Sequence, residues 1–387
     1  MGSVNITEAN GQLGILANSA DNVFGVVITG VVGDGYDLGS VLLVTSLPNA
    51  ISQGVTEANS PFLYKFLKEF YDEAGKPTQL YVLPVANTMT YSLICDKDNA
   101  GGISKLINYA QGAIRVASVI VDDADVYSPV VITGGINADV LPAAALLQAA
   151  ATYYANKEMP FRAIIAGSSF NGVAGDLINL NGYSYNRVGI MLGDVVSGGN
   201  CALGTLMGKL STMRVVEKLS KVKTGALVTT SAFLNTSSMN DDSTAGVPDA
   251  IAAKGYITWF KYPLLSGIFF SGDPMACVST DDYGMLCRGR IMDKVRLLAY
   301  GVMVNEVDAD VATEEGGTID EAFATWLEGQ VDQKLSGMVS AGEIDNSSVS
   351  VDRAHVLSSD NKFYLAVKAR PKGYLTDIEV TIGYSTV

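Results

Sequence analysis

Short apolar runs bounded by Gly, Asp and Ser dominate the first half of the chain. Val23–Thr29 (VFGVVIT), Val41–Thr45 (VLLVT), Gln79–Ala86 (QLYVLPVA), Ile114–Val121 (IRVASVIV), Phe161–Ala166 (FRAIIA) and Val188–Leu192 (VGIML) each read as a buried strand. Val4 and Ile6 alternate with polar neighbours like one further short strand. Helical periods lie between the runs. Ser60 followed by Pro61 opens SPFLYKFLKEFYDEAG, with Leu63, Phe66, Leu67 and Phe70 on one face and Gly75 at the stop. Asp139 is expected to cap a long Ala/Leu helix reaching about Lys157, and a helix-compatible stretch runs from about Cys201 to Leu219. Strands alternating with helices predict an α/β layer with a mostly parallel sheet. The polar stretch 235–250 (NTSSMNDDSTAGVPDA) is the expected internal boundary.

The C-terminal third has a different pattern. Ile291, Val295, Leu298 and Val302 repeat at four-three-four spacing, which places them on one helix face. Thr318-Ile-Asp-Glu321 has the form of a capping box. It predicts a helix whose Ile319, Phe323, Trp326 or Leu327, Val331, Leu335 and Met338 share a face, ending at Gly342. Three strands are expected to follow, Ser348–Val356, Lys362–Arg370 and Thr376–Tyr384, the last alternating through Ile378, Val380 and Ile382. Two helices and then three strands predict an α+β module.

Charge narrows the function classes. Lys and Arg number 26 against 40 Asp and Glu, a formal charge of −14, which argues against a protein that neutralises phosphates along nucleic acid. Charged residues are 17% of the chain, below the usual share of about 25%, as suits a surface partly covered by partners. No apolar run reaches the roughly 18 residues of a spanning helix. The start MGSVNITEANGQLG lacks the basic and apolar regions of a signal peptide, and Ile6 stands where a myristoylation pattern needs Ser or Thr. Cys95, Cys201, Cys277 and Cys287 form no C-x-x-C pair, so reduced, buried thiols are expected.

Candidate chemistry is sparse. A hydrolytic triad needs a base beside its nucleophile, and the one histidine, His355, sits in a strand-like run near the C-terminus. No G-x-S-x-G occurs; Gly167-Ser-Ser-Phe-Asn-Gly172 has the wrong spacing. GVVGDGYDLG after the first strand lacks the Lys-Ser/Thr of a phosphate loop, and Gly33, Gly35 and Gly39 do not make the dinucleotide spacing. Asp96-Lys-Asp98 opens like a calcium loop but fails at Ala100 and Ile107. Val121-Asp-Asp-Ala-Asp125 clusters three carboxylates after a strand, where a solvated turn is the default. No catalytic, cofactor or metal site is predicted. Arg288, Arg290, Lys294 and Arg296 form the one basic cluster, either a solvated helix face or a charge contact with an acidic neighbour.

Read together, the segments CRGRIMDKVRLLAYGVMVNEV, GGTIDEAFATWLEGQVDQKLSGMVSAGEI and SVSVDRAHVLSSDNKFYLAVKARPKGYLTDIEVTIGY carry a resemblance. A helix entered through an Arg-rich turn is followed by an acidic amphipathic helix and by strands ending at ARPKGYLTDIEVTI. This order resembles the C-terminal domain of tail sheath proteins from contractile phage tails and contractile injection systems. SPFLYKFLKEFYDEAGKPTQLYVLPVANT is similar to the helix-then-strand stretch of a divergent sheath subfamily.

The resemblance implies a non-enzymatic structural subunit, polymerised as stacked hexameric rings around an inner tube, which contracts and drives the tube through a target envelope. It implies an N-terminal arm (1–20), an outer α/β domain (21–254), an inner α+β domain (255–375) and a C-terminal arm strand (376–387). The arms, through Val4, Ile6, Ile378, Val380 and Ile382, would add strands to neighbouring subunits. Implied partners are other copies, the tube protein, and baseplate and cap proteins, with no nucleic acid and no membrane insertion. The implied place is a virion tail or injection particle assembled in the bacterial cytoplasm. Asp320, Glu321, Glu328 and Asp332 lie where relatives touch the tube, so either the tube is basic or the Arg288–Arg296 cluster makes that contact. The alternative reading is a doubly wound α/β nucleotide-binding protein or enzyme with its ligand near Gly33–Gly39. A tube or capsid subunit is a third reading, disfavoured by the α/β alternation.

Overall fold

A computed structural model describes residues 21–33, 35–125, 130–376 and 379. The first of two units, Met1–Asp293, is built on six strands. These are β1 (Phe24–Thr29), β2 (Leu42–Val44), β3 (Leu80–Val85), β4 (Val116–Ile120), β5 (Arg162–Ala166) and β6 (Val188–Met191). Their order is β2-β3-β1-β4-β5-β6, with β2 antiparallel to β3 and every other pairing parallel. Every residue of β1, β4, β5 and β6 is buried. That is why these strands read as continuous apolar runs, as parallel strands covered on both faces do.

Helices cover both faces, as neighbouring residues of β1 show. Phe24 meets Phe70 of α1 (Pro61–Ala74) edge to face at 6.2 Å. A Cβ on the next residue, Gly25, would lie 2.7 Å from Ile114 and 3.0 Å from Leu106 of the helix Ile103–Tyr109. Successive strand residues point to opposite faces, so α1 and that helix flank the sheet. Further along the chain, α2 (Val140–Ala155) and α3 (Leu203–Thr212) add to these layers. In α3, Gly204 and Gly208 let the helix backbone close on α1; a Cβ there would stand 2.3 Å from Phe66 O and 2.5 Å from Phe70 O.

The predicted caps stand near the right places but bond elsewhere. Ser60 is the N-cap residue of α1, yet its hydroxyl lies 2.5 Å from the Tyr36 hydroxyl instead of its own helix. Asp139 precedes α2, but its carboxylate accepts from the Ser92 amide at 2.8 Å and the Ser92 hydroxyl, so it supplements the Thr90 cap of the neighbouring helix Tyr91–Cys95. The helix expected to reach Leu219 stops at Thr212.

The division between the units falls within α4 (Leu286–Met303), so the expected boundary at 254/255 lies inside the first unit. The stretch 235–250 is also inside it, holding the turn and second strand of a small hairpin (Phe233–Leu234 with Ser237–Ser238) and the start of the helix Val247–Ala253.

The second unit, Lys294–Val387, contains α5 (Glu321–Ser340) and the antiparallel pair β7 (Ile344–Val351) and β8 (Leu365–Pro371). The expected stripe is present: Leu327, Val331, Leu335 and Met338 are buried, while Trp326 faces out. The cap is Asp320, which accepts from the Phe323 amide at 2.8 Å, and not Thr318. The expected third strand, with Ile378, Val380 and Ile382, and the N-terminal Val4 and Ile6 lie outside the described residues. Among the described residues, no helix is long and apolar enough to cross a membrane, and all four cysteines are buried and outside any disulfide.

Candidate functional site

The parallel strands run in the order β3-β1-β4-β5-β6, a doubly wound arrangement whose path reverses between β1 and β4. Sheets of this kind bind ligands beyond the carboxyl ends of the strands. A cleft of 680 Å³ lies there, with Asp122 and Asp123 after β4, Ser169 after β5, Asp194 after β6, and Lys65 from α1. Most of its polar groups are engaged with the fold, although Asp194 Oδ2 and Asn200 Oδ1 are buried with no hydrogen-bond partner among the described residues. Lys65 Nζ lies 2.8 Å from both Asp194 Oδ1 and Glu69 Oε1. Asp194 also accepts the Val195 amide at 2.6 Å, fastening the loop after β6. Asp123 takes the Asn137 carboxamide at 3.0 Å and the Ser169 hydroxyl. Burial pulls the Lys65 ammonium down, but the Glu69 and Asp194 carboxylates outweigh it and raise it overall. Burial pushes the Glu69 carboxyl up to about 7 against the pull of Lys65.

This chemistry does not suit a nucleotide. Three carboxylates face a lysine that two carboxylates already neutralise, so a phosphate entering the cleft would meet net negative charge. The glycine segment after β1 is no cradle either: a Cβ on Gly33 would fall 2.2 Å from the Tyr36 ring, so the loop closes on its own tyrosine. Tyr36 donates to Val31 O at 2.8 Å, which fixes that closure. Asp34 lies outside the described residues, as does the side chain of Asp125 in the predicted acidic cluster. Among the described residues, no group of three or more His, Cys, Asp or Glu is placed to hold a metal ion.

The basic cluster is largely structural. Arg290 is buried and donates to Asp21 O at 3.0 Å and Asn22 Oδ1 at 2.9 Å; Lys294 pairs with Glu343 at 2.8 Å. Arg288 and Arg296 are half-buried, so the four cations do not form one solvated face. The residue that organises this turn is Asp293, which sequence reading passed over. It takes Arg162 Nε at 2.8 Å and Arg187 Nη2 at 3.0 Å in a buried Arg-Asp-Arg triad.

In the second unit, Arg353 donates to Glu321 at 2.7 Å and to Glu328 at 2.6 and 2.9 Å, and holds the Glu328 carboxyl below its usual range. Asp332 accepts from Ser347 at 3.3 Å and is exposed, while Asp320 serves as the helix cap. His355 lies 2.8 Å from Asp360 and edge-on to Tyr364 at 4.7 Å, with no nucleophile described beside it.

Residues 1–273 match the family described as DUF2586, N-terminal domain, and residues 282–387 match DUF2586, C-terminal domain. The chain belongs to the DUF2586 family. No curated protein matches it. Among solved structures, this DUF2586 protein is similar over its whole length to the anti-feeding prophage helical sheath in its contracted state. The TM-score is 0.63 at 11% identity, with 99% of that chain covered. The sheath of the extracellular contractile injection system PVC, also contracted, gives 0.61 at 9% identity, covering 100% of this chain and 98% of the other. A sheath tail protein from Listeria innocua gives 0.51 at 8% identity, covering 90% of this chain and 94% of the other. The DUF2586 chain therefore has the fold of contractile tail sheath proteins.

Proposed function

We propose that the protein is a structural, non-enzymatic subunit of a contractile tail sheath, stacking as hexameric rings around an inner tube and contracting to drive that tube through an envelope. The observation that carries this reading is the fold, similar to sheath proteins along the whole chain. A doubly wound cleft occupied by its own ion pairs supports a scaffold role over a nucleotide-binding one. Partners on this reading are further copies, a tube protein, and baseplate and cap proteins, in a virion tail or injection particle assembled in the cytoplasm. Asp320, Glu321, Glu328, Asp332 and the half-buried Arg288 and Arg296 are the proposed charge contacts to tube or neighbour. Arg290 and Lys294 would act through the fold.

Strand exchange through Val4, Ile6, Ile378, Val380 and Ile382 is part of the proposal. Among the described residues the pair β7–β8 is two-stranded, and so small a sheet gains from added strands. Deleting residues 1–10 or 376–387, or replacing Val380 with Pro, should give a folded subunit that no longer polymerises. Circular dichroism reads the fold, and sedimentation after co-expression with tube and baseplate proteins reads assembly. Ordinary tubes from the truncated chain would rule out arm exchange; an unfolded chain would place the last strand in its own subunit's core.

A further inference from the structure

Charge in the second unit is segregated along the sequence. Between residues 297 and 333 there are nine Asp and Glu and no Lys or Arg; between 353 and 372 there are five Lys and Arg and one Asp. The structure sets part of each block on the surface without a counter-charge. On β8, Leu365, Val367 and Ala369 are half-buried, while Ala366, Lys368 and Arg370 alternate with them on the exposed face. Their ladder partners Ser350, Ser348 and Asn346 are exposed too, so two cations stand on a sheet face of small, neutral side chains. Arg353 is committed to Glu321 and Glu328, Lys372 lies 3.4 Å from Asp345, and Lys362 lies 3.9 Å from Asp360. Lys368 and Arg370 make no ion pair among the described residues.

The acidic counterpart is the loop between α4 and α5. Asp308, Asp310, Glu314 and Glu315 are exposed, and none has a cation partner among the described residues. The loop also holds features that solvation alone does not explain. Val307 is 68% exposed, and Asp308 sits at φ 60°, a backbone region unfavourable for a non-glycine residue. One unit thus carries two surfaces of opposite sign on separate elements. A surface that complements a different patch on an identical copy makes a head-to-tail contact, which extends into a ring or helix.

We propose that the outer face of the β7–β8 hairpin, through Lys368 and Arg370, docks on the acidic 306–315 loop of a second copy. The inference rests on the sheath-subunit reading and adds to it a named subunit contact. In a chain of net charge −14 copies repel at long range, so a local contact of opposite sign sets register and partner orientation more than bulk affinity.

The test is charge reversal and its rescue in the full-length chain, co-expressed with its tube and read by sedimentation at low and high salt. K368E/R370E and, separately, D308K/D310K should each lower the polymer fraction about ten-fold at low salt. Combining all four substitutions should restore most of it, because the pair is re-formed with signs exchanged. K368Q/R370Q should fall between, and circular dichroism should show every variant folded, since all four positions are exposed. Wild-type assembly should itself weaken as salt rises, because charges on open faces are screened within ~10 Å at 0.1 M salt. Normal polymer from K368E/R370E overturns the proposal, as does failure of the four-fold variant to recover while folded. Absence of polymer from the wild-type chain, even with its tube, overturns the sheath reading and this contact with it.

Discussion

Removing the Asp293 carboxylate should destabilise the first unit more than any surface change in the Arg-rich turn. Asp293 receives four N–H donors, from Arg162 at 2.8 and 3.2 Å and from Arg187 at 3.0 and 3.2 Å. Side-chain exposure is 2% for Arg162, 14% for Arg187 and 7% for Asp293. In Asp293→Ala both guanidiniums lose their counter-ion in a site that admits little water. Breaking a buried pair from one side costs about 3–5 kcal/mol. Arg162 keeps its bonds to Asn186 O at 2.8 Å and Gly289 O at 3.2 Å, which favours the lower end of that range. A loss of about 3 kcal/mol is a large part of a domain stability of about 5–15 kcal/mol. The assay is urea unfolding followed by Trp259, buried in the first unit and stacked on Phe270 at 5.1 Å, with exposed Trp326 replaced by Phe in both proteins. With a slope of about 3 kcal/mol per molar urea, the midpoint should fall by about 1 M at unchanged slope. A midpoint within about 0.2 M of the parent would refute the reasoning. Replacing the whole triad with apolar residues of similar volume should cost far less than Asp293→Ala, because no charge is then stranded.

Gly204→Ala places a Cβ 2.3 Å from Phe66 O, so α1 and α3 must part; a loss of about 1–3 kcal/mol is expected, while Gly329→Ala in α5, with open space around it, should be neutral or stabilising by thermal melting. Glu69 holds its proton more tightly folded than unfolded. Its stabilising contribution is therefore complete below about 4.5 and is lost as pH rises through about 7, and Glu69→Gln should flatten the fall in melting temperature between those values. An unchanged slope in that variant would show that burial does not dominate at Glu69. His355→Gln should leave assembly near wild type, since the ring contacts only Asp360 and Tyr364 in the described structure; loss of a measurable turnover in a folded variant would revive the enzyme reading.

The elements most legible in the sequence were those whose signal is local and apolar. The strands from VFGVVIT to VGIML, the α1 stripe from Leu63 to Phe70, and the α5 stripe from Leu327 to Met338 all follow from burial of one face or two. Caps were legible in place but not in partner. Ser60 and Asp139 stand where a helix begins, yet the Ser60 hydroxyl is turned to Tyr36 and the Asp139 carboxylate is taken by Ser92, both from other parts of the fold. Asp320 displaced Thr318 because it stands three residues before Phe323, whose amide it accepts. Charge was least legible. The Arg288–Arg296 cluster looked like a surface feature because its lone carboxylate, Asp293, meets Arg162 and Arg187, which lie more than a hundred residues away in sequence. Gly204 and Gly208, four residues apart, were a readable sign of close helix approach that periodicity alone passes over.

The sheath reading stands or falls on what the chain builds. Electron microscopy of the protein co-expressed with its tube and baseplate partners should show hollow, helically striated tubes with six subunits per ring, wider and shorter after contraction. A strictly monomeric profile across concentration and salt, with no filaments in the same preparation, would contradict it.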